Sequence, residues 1–244
     1  MRLARVFVDA PLESGSIVDL PDDIGVHLAK VLRARSGDEI MLFNGDGRDF
    51  TGVIGSVRGK HVIAEIGAAH RVETESRLAI TLVQCLPRAE KMDFVVQKAT
   101  ELGVRRIVPV ISQRSVVRLD EHRTQSKQSH WQAVAVSACE QCGRARLPTI
   151  ESPVQLLNYL GGLAPSAHPR WVLEPLTAAT ARARLPLTVA EIAIGPEGGF
   201  APDELEAFRL AGFSPLGLGP RVLRTETAAI AALVWLQTLF GDMS

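Results

Sequence analysis

Two short loops concentrate the residues with chemical reach. The first reads Ile194-Gly195-Pro196-Glu197-Gly198-Gly199-Phe200. The second reads Leu218-Gly219-Pro220-Arg221-Val222-Leu223-Arg224 and continues into Thr225-Glu226-Thr227-Ala228. Glycine and proline together let a backbone turn sharply and lie close against a flat ligand. An apolar run ends at Ile194 and a helical pattern opens at Pro202, so the first loop joins a strand to a helix, and the second does the same. Such loops, side by side at strand ends, form small-molecule pockets in α/β proteins. Neither contains a lysine, which argues against a triphosphate. The pattern suits an uncharged, flat, hydrogen-bonding ligand with Arg221, Arg224, Glu197 and Glu226 nearby. A nucleoside cofactor without phosphates fits, and S-adenosylmethionine is the obvious one.

Other chemistries lack their parts. Cys139-Glu140-Gln141-Cys142 has the spacing of a redox or zinc half-site, but the one remaining cysteine, Cys85, is unpaired, and a structural zinc needs four ligands. The six histidines (27, 61, 70, 122, 130 and 168) show no metal spacing. No serine nucleophile elbow occurs. Gly45-Asp46-Gly47 lacks the third glycine of a dinucleotide fingerprint and reads as a hairpin. Gly59-Lys60 is followed by His61, so it is no phosphate loop.

The elements that must hold the two loops follow from periodicity. Short strands are expected at residues 5–8, 39–43, 50–57 and 61–66, with a helical stretch at 27–33. Short strands with regular turns suggest a small barrel. Residues 71–77 are polar and aperiodic, and the boundary is placed there: a β-barrel over residues 1–73, then residues 74–244. The second part alternates, with strands at 78–86, 106–111, 149–150, 170–173, 191–194 and 213–218. Helices are expected at 90–102, 129–142, 154–160, near 178–184, 202–211 and 225–240. That alternation argues for a parallel α/β sheet. The last helix (Ala228, Ile230, Ala231, Leu233, Val234, Trp235, Leu236, Leu239, Phe240) leaves almost no polar face. It must be covered on more than one side, and a homodimer interface is the natural second surface.

Composition sets the frame. The 244 residues are 46% hydrophobic and 22% charged, with net charge +0, as in an ordinary globular chain. Residues 1–75 hold 9 Lys/Arg against 12 Asp/Glu, whereas residues 105–146 hold 8 against 3. The second stretch is a candidate patch for a polyanion. No apolar run reaches the length of about 20 residues that a membrane span needs, no signal-peptide core follows Met1, and three cysteines fit a reducing cytoplasm.

The loop motifs, with Glu204, resemble those of the bacterial 16S ribosomal RNA uridine-N3 methyltransferase family of the SPOUT class. Similar stretches run the length of the chain in order: His27-Leu28, Val31-Leu32-Arg33, Lys91, Lys98-Ala99-Thr100-Glu101-Leu102-Gly103-Val104, Ser112-Gln113-Arg114-Ser115 and Glu140-Gln141. The cysteines flanking Glu140-Gln141 depart from that pattern.

The resemblance implies a PUA-like β-barrel followed by a trefoil-knotted α/β domain that carries cofactor site and dimer interface. Periodicity carries no trace of a knot, and general topology rules expect none. It implies S-adenosylmethionine held by Leu173, Glu174 and Pro175, by Ile194, Gly195, Pro196, Glu197, Gly198 and Gly199, and by Leu218, Gly219, Arg221, Val222, Leu223, Thr227 and Ala228. The implied substrate is one uridine of 16S ribosomal RNA within the small subunit. Arg224, Arg114 or Arg144 would stabilise the N3 anion or hold phosphates, and Glu226 or Glu140 would be the base or orient an arginine. RNA contacts are expected from Arg5, His27, Lys30, Arg33, Arg48 and Arg144. Two other readings stay open: a methyltransferase of the same class acting on another RNA or base, and a non-catalytic RNA-binding factor.

Overall fold

The computed structural model describes residues 3–88, 91–115, 121–175, 177 and 186–243. The expected short helix near residues 178–184 lies outside them, as does the expected helix start at Glu90. Two compact units emerge, Met1–Glu75 with Cys139–Leu147, and Ser76–Ala138 with Pro148–Ser244.

The first unit is built on strands β1 (Ala4–Phe7), β2 (Ile17–Leu20), β3 (Glu39–Phe43), β4 (Arg48–Arg58) and β5 (His61–Arg71), paired in the order β1-β3-β4-β5-β2. β1 runs parallel to β3 and the other pairings are antiparallel. Alternation in β5 is clean: Val62, Ala64 and Ile66 are buried while His61, Ile63 and Glu65 face out, which fixes the register. These side chains join Val6, Leu28, Leu42, Phe50 and Ile54 in one core.

β2 and the following helix α1 (Asp22–Val26) are absent from the sequence reading, which starts its helix at His27. α1 passes into a π-helical turn, His27–Val31, that buries Leu28 and leaves His27 and Lys30 exposed. Arg33 follows at φ 54. Gly25 makes the packing possible, since a Cβ there would stand 1.8 Å from the Lys60 carbonyl oxygen.

Residues 139–147 belong to this unit through buried polar contacts. The Arg5 guanidinium grips Asp49 at 2.6 and 3.1 Å. It also donates to the carbonyls of Cys139 (2.6 Å) and Arg144 (3.0 Å) and lies 3.8 Å over the Phe43 ring. The Phe7 amide donates to Glu140 Oε1 at 3.0 Å, and Arg144 forks onto Glu75 at 2.8 and 3.1 Å.

The second unit is α/β, as expected, around an all-parallel sheet. Its strands are β6 (Ala79–Cys85), β7 (Arg106–Ile111), β8 (Thr149–Ile150), β9 (Val154–Gln155), β10 (Arg170–Leu173), β11 (Val189–Ile194) and β12 (Phe213–Leu216). The order is β12-β10-β11-β6-β7-β8, with β9 also on β7. Parallel strands are covered on both faces, which explains their near-continuous apolar runs. Leu82, Ile107 and Ile192 point into one layer with α2 (Lys91–Glu101), α3 (Glu121–Cys142) and α6 (Thr225–Phe240). Val83, Val108 and Ala193 point into the other, with α4 (Leu156–Gly161) and α5 (Pro202–Leu210).

Two elements differ from the sequence reading. The stretch 154–160 is not one helix: Val154 and Gln155 pair with Val110 and Ile111, and the helix opens only at Leu156. α3 starts at Glu121 rather than near 129, because its first turns are polar and carry no apolar stripe.

α6 buries Ala228, Ala229, Ala232, Leu233 and Leu236, while Ile230, Ala231, Val234 and Trp235 remain half-exposed on this single chain. Among the described residues no helix is long and apolar enough to cross a membrane.

Candidate active site

β12, β10 and β11 are neighbours and run parallel, so the loops at their C-terminal ends open side by side. Together they bound a cavity of about 590 Å³, within the size range of small-molecule sites. Its walls are Leu173, Glu174 and Pro175 after β10; Ile194, Gly195, Pro196, Glu197, Gly198, Gly199 and Phe200 after β11, with Leu205; and Leu218, Gly219, Arg221, Val222, Leu223, Arg224, Thr225 and Ala228 after β12. Every residue expected at the cofactor is therefore a wall residue except Thr227, which is exposed on the first turn of α6.

Backbone conformation explains the glycines. Gly199 and Gly219 sit at φ +65 and +91, where a side chain would be strained. A Cβ on Gly195 would press to 3.2 Å from the Phe200 ring. Among the described residues the walls thus present backbone groups and mainly apolar side chains, with Glu174, Glu197, Arg221 and Arg224 as the charged members and no lysine.

A second layer holds these loops in place. Thr225 Oγ1 donates to the Gly195 carbonyl at 2.7 Å and accepts from Gln84 Nε2 at 3.0 Å. Gln84 is fully buried; its Nε2 also reaches the Cys85 carbonyl at 2.8 Å, and its Oε1 has no hydrogen-bond partner among the described residues. Glu204, 1% exposed, accepts from the amides of Gln113 and Ala201, both at 2.8 Å. Bonds to a buried charge of this kind contribute about 1.5–3 kcal/mol each. Arg114 NH1 donates to the Gly198 carbonyl at 2.9 Å, so the segment after β7 is tied to the glycine-rich loop at Gly198 and to the first turn of α5 at Glu204.

Two carboxylates beside the cavity share one ammonium. Lys91 Nζ lies 3.5 Å from Glu197 Oε1 and 3.2 Å from Glu226 Oε2. The second contact is an ion pair without hydrogen-bond alignment, since Glu226 Oε2 is buried and has no hydrogen-bond partner among the described residues. Partial burial pushes the Glu197 carboxyl up. The Glu197 and Arg88 amides and Lys91 outweigh that and hold it below the usual carboxylate range.

The expected catalytic groups separate into grades of proximity. Arg224 lines the cavity, Glu226 stands just inside α6, and Arg114 touches the wall through Gly198. Of the residues expected at RNA, His27, Lys30, Arg33 and Arg48 are exposed. Arg48 forms an ion pair with Asp46 and edges a wider, acid-lined depression with Asp9 and Glu13. Arg5 and Arg144 are different: their side chains are 9% and 4% exposed and committed to Asp49 and Glu75. They serve the interior of the first unit. Glu140, the other candidate base, is occupied by the Phe7 amide there. Cys139 is buried, and its hydrogen bond with Cys142 together with burial keeps it a neutral thiol.

Sequence reasoning placed neither Gln84 nor Lys91 in the site. Gln84 had a signal: it is the lone amide in a strand that is apolar apart from it and Thr81. Lys91 stands among the family-like stretches, but nothing in the sequence ties it to the site, because its partners Glu197 and Glu226 lie 106 and 135 positions away.

Comparison with known proteins is consistent along the whole chain. Residues 74–237 match the family model of an RNA methyltransferase domain, and residues 20–67 that of an RNA methyltransferase PUA domain. Ribosomal RNA small subunit methyltransferase E of Buchnera aphidicola (subspecies Schizaphis graminum) is 34% identical over 246 residues, covering 100% of this chain and 99% of the relative. The protein of that name from Mycobacterium tuberculosis is 32% identical, covering 93% and 88%. Two solved structures are similar throughout. A putative methyltransferase from Legionella pneumophila in complex with S-adenosylmethionine has TM-score 0.94 at 37% identity, covering 99% of this chain and 100% of that one. Ribosomal RNA small subunit methyltransferase E from Neisseria gonorrhoeae, bound to S-adenosylmethionine, has TM-score 0.92 at 36% identity, covering 100% of both.

Proposed function

This chain belongs to the RNA methyltransferase family, and on that premise we propose that it methylates N3 of one uridine in the 16S RNA of the small ribosomal subunit, using S-adenosylmethionine. The observation that carries the reading is the cavity itself: three adjacent strand ends, glycine-rich walls and no lysine.

The walls suit this cofactor. Backbone N–H and C=O groups of residues 194–199 and 218–223 would hold the adenine edge and the ribose hydroxyls, and Leu173, Pro175 and Ala228 would offer apolar surface to the ring. Glu174 and Glu197 can receive the amino group of the methionine portion. When bound, the cofactor supplies a methyl group already activated on a sulfonium, so the protein's contribution is positioning and electrostatics.

The chain's own residues must handle one proton and one transient charge. Uridine N3 is an imide and reacts after losing its proton. Arg224, a cation on the wall, offsets the negative charge that develops there. Glu226, next but one in sequence, takes the proton. Arg114 fixes the glycine-rich loop and, being exposed, is available to an RNA phosphate. Lys30 and Arg33 offer exposed cations to an RNA phosphate, with His27 beside them as a hydrogen-bonding group. Two copies of the chain pair through the half-exposed side of α6, covering Ile230, Val234 and Trp235.

N3 methylation blocks Watson–Crick pairing and stops a reverse transcriptase. In a strain lacking this protein the corresponding stop on 16S RNA disappears and returns on complementation. An unchanged stop pattern refutes the uridine-N3 assignment, and absence of S-adenosylmethionine binding in calorimetry refutes the cofactor.

A further inference from the structure

We infer that Lys91 is a positioning residue of this site: it neutralises one carboxylate on the loop after β11 and another on the first turn of α6, and so holds the two walls in binding register. The inference rests on the S-adenosylmethionine reading above.

Lys91 belongs to neither loop. It stands on the first turn of α2, whereas Glu197 lies in the loop after β11 and Glu226 on the first turn of α6. One ammonium therefore touches both, at 3.5 and 3.2 Å. None of the three side chains is fully solvated, with exposures of 33%, 31% and 17%. Two carboxylates sharing a single cation are close enough to repel when it is removed, and their screening by water is incomplete.

Neither acid has an easy escape. Glu197 is fixed as an anion by the Arg88 amide, at 3.2 Å, and by its own backbone. Glu226 Oε2 is buried without a hydrogen-bond donor, and Lys91 is its ion-pair partner among the described residues. Without the ammonium, relief comes by moving the loops apart. That displaces Gly195 and Gly198 on one wall and Arg224, two residues before Glu226, on the other. Lys91 thus acts on the ligand through two carboxylates and does not line the cavity.

A double-mutant cycle read by calorimetry with S-adenosylmethionine tests this. Lys91→Met should weaken binding about tenfold or more, the size of one full unit of charge coupling, and Lys91→Arg should largely restore it. In a Glu226→Gln background the repulsion is gone, so Lys91→Met should then cost less than about threefold. If Lys91→Met alone does not accumulate as folded protein, the comparison of Lys91→Met/Glu226→Gln with Glu226→Gln still decides. Wild-type affinity in Lys91→Met, or an undiminished loss in the Glu226→Gln background, overturns the inference. Failure of the wild-type protein to bind S-adenosylmethionine is a separate result, and it overturns the cofactor reading instead.

Discussion

Replacing Thr225 by valine removes one hydroxyl and almost no volume, so it isolates what that hydroxyl does. Its oxygen makes two bonds in a residue that is 4% exposed: to the Gly195 carbonyl at 2.7 Å and from Gln84 Nε2 at 3.0 Å. A neutral hydrogen bond contributes about 1 kcal/mol net, and a fully orphaned buried group costs about 1–3 kcal/mol. Neither partner is fully orphaned here. Gln84 Nε2 keeps the Cys85 carbonyl, and Gly195 lines the cavity, where water reaches it. The expected loss is therefore about 2 kcal/mol, which for a chain of this size lowers Tm by roughly 4–8 °C. Binding should suffer as well, because the Gly195-Pro196 peptide is no longer anchored at its carbonyl. A penalty of about 1.4 kcal/mol corresponds to tenfold weaker S-adenosylmethionine binding. Thr225→Ser keeps the hydroxyl and should stay near wild type in both assays. A valine variant that melts and binds like wild type would refute the argument that this buried bridge shapes the site.

Burial pushes the Glu140 carboxyl up, against the Phe7 amide and the nearby His27 and Arg5. A carboxyl raised on folding stabilises the fold while protonated, and that contribution is lost as pH rises through the folded pKa. Glu140→Gln retains an acceptor for Phe7 and carries no charge. It should match wild type in urea at pH of about 3.5 and gain on it towards neutrality; a gap independent of pH would count against this. Arg144→Met leaves Glu75 part-buried and without this guanidinium, at a cost of about 3 kcal/mol. The salt dependence of RNA binding should stay unchanged, whereas a flatter salt slope with intact stability would make Arg144 a phosphate ligand after all. Val234→Glu on the half-exposed side of α6 should convert a dimer into monomers in sedimentation velocity, and a monomeric wild type would remove the pairing proposal.

The loops were legible because their chemistry is a backbone requirement. Positive φ at Gly199 and Gly219 and the close approach at Gly195 demand glycine, and that demand is written in residue type. The parallel sheet was legible for a similar reason, since strands buried on both faces read as unbroken apolar runs. Other features depend on distance in space. The spacing of residues 154–160 suits a helix, yet Val154 and Gln155 are captured by the open edge of β7. α1 escaped notice because its five residues carry two exposed aspartates and a glycine. Arg5 and Arg144 read as surface cations, and only their partners, Asp49 and Glu75, show that they are interior ion pairs.

The allegiance of residues 139–147 to the first unit has a consequence for how the chain is made. Arg5 has its carbonyl acceptors at positions 139 and 144, and the Glu75 carboxylate waits for Arg144. During synthesis the N-terminal sheet therefore emerges without the segment that completes it. Translation at about 5–20 residues per second leaves an interval of several seconds before that segment arrives. Throughout it Arg5 lacks both of its carbonyl acceptors and Glu75 lacks the Arg144 guanidinium. A fragment ending at residue 75 is accordingly an unfinished object, and the first unit closes only after β6 and β7, the first two strands of the second unit's sheet, have already been made.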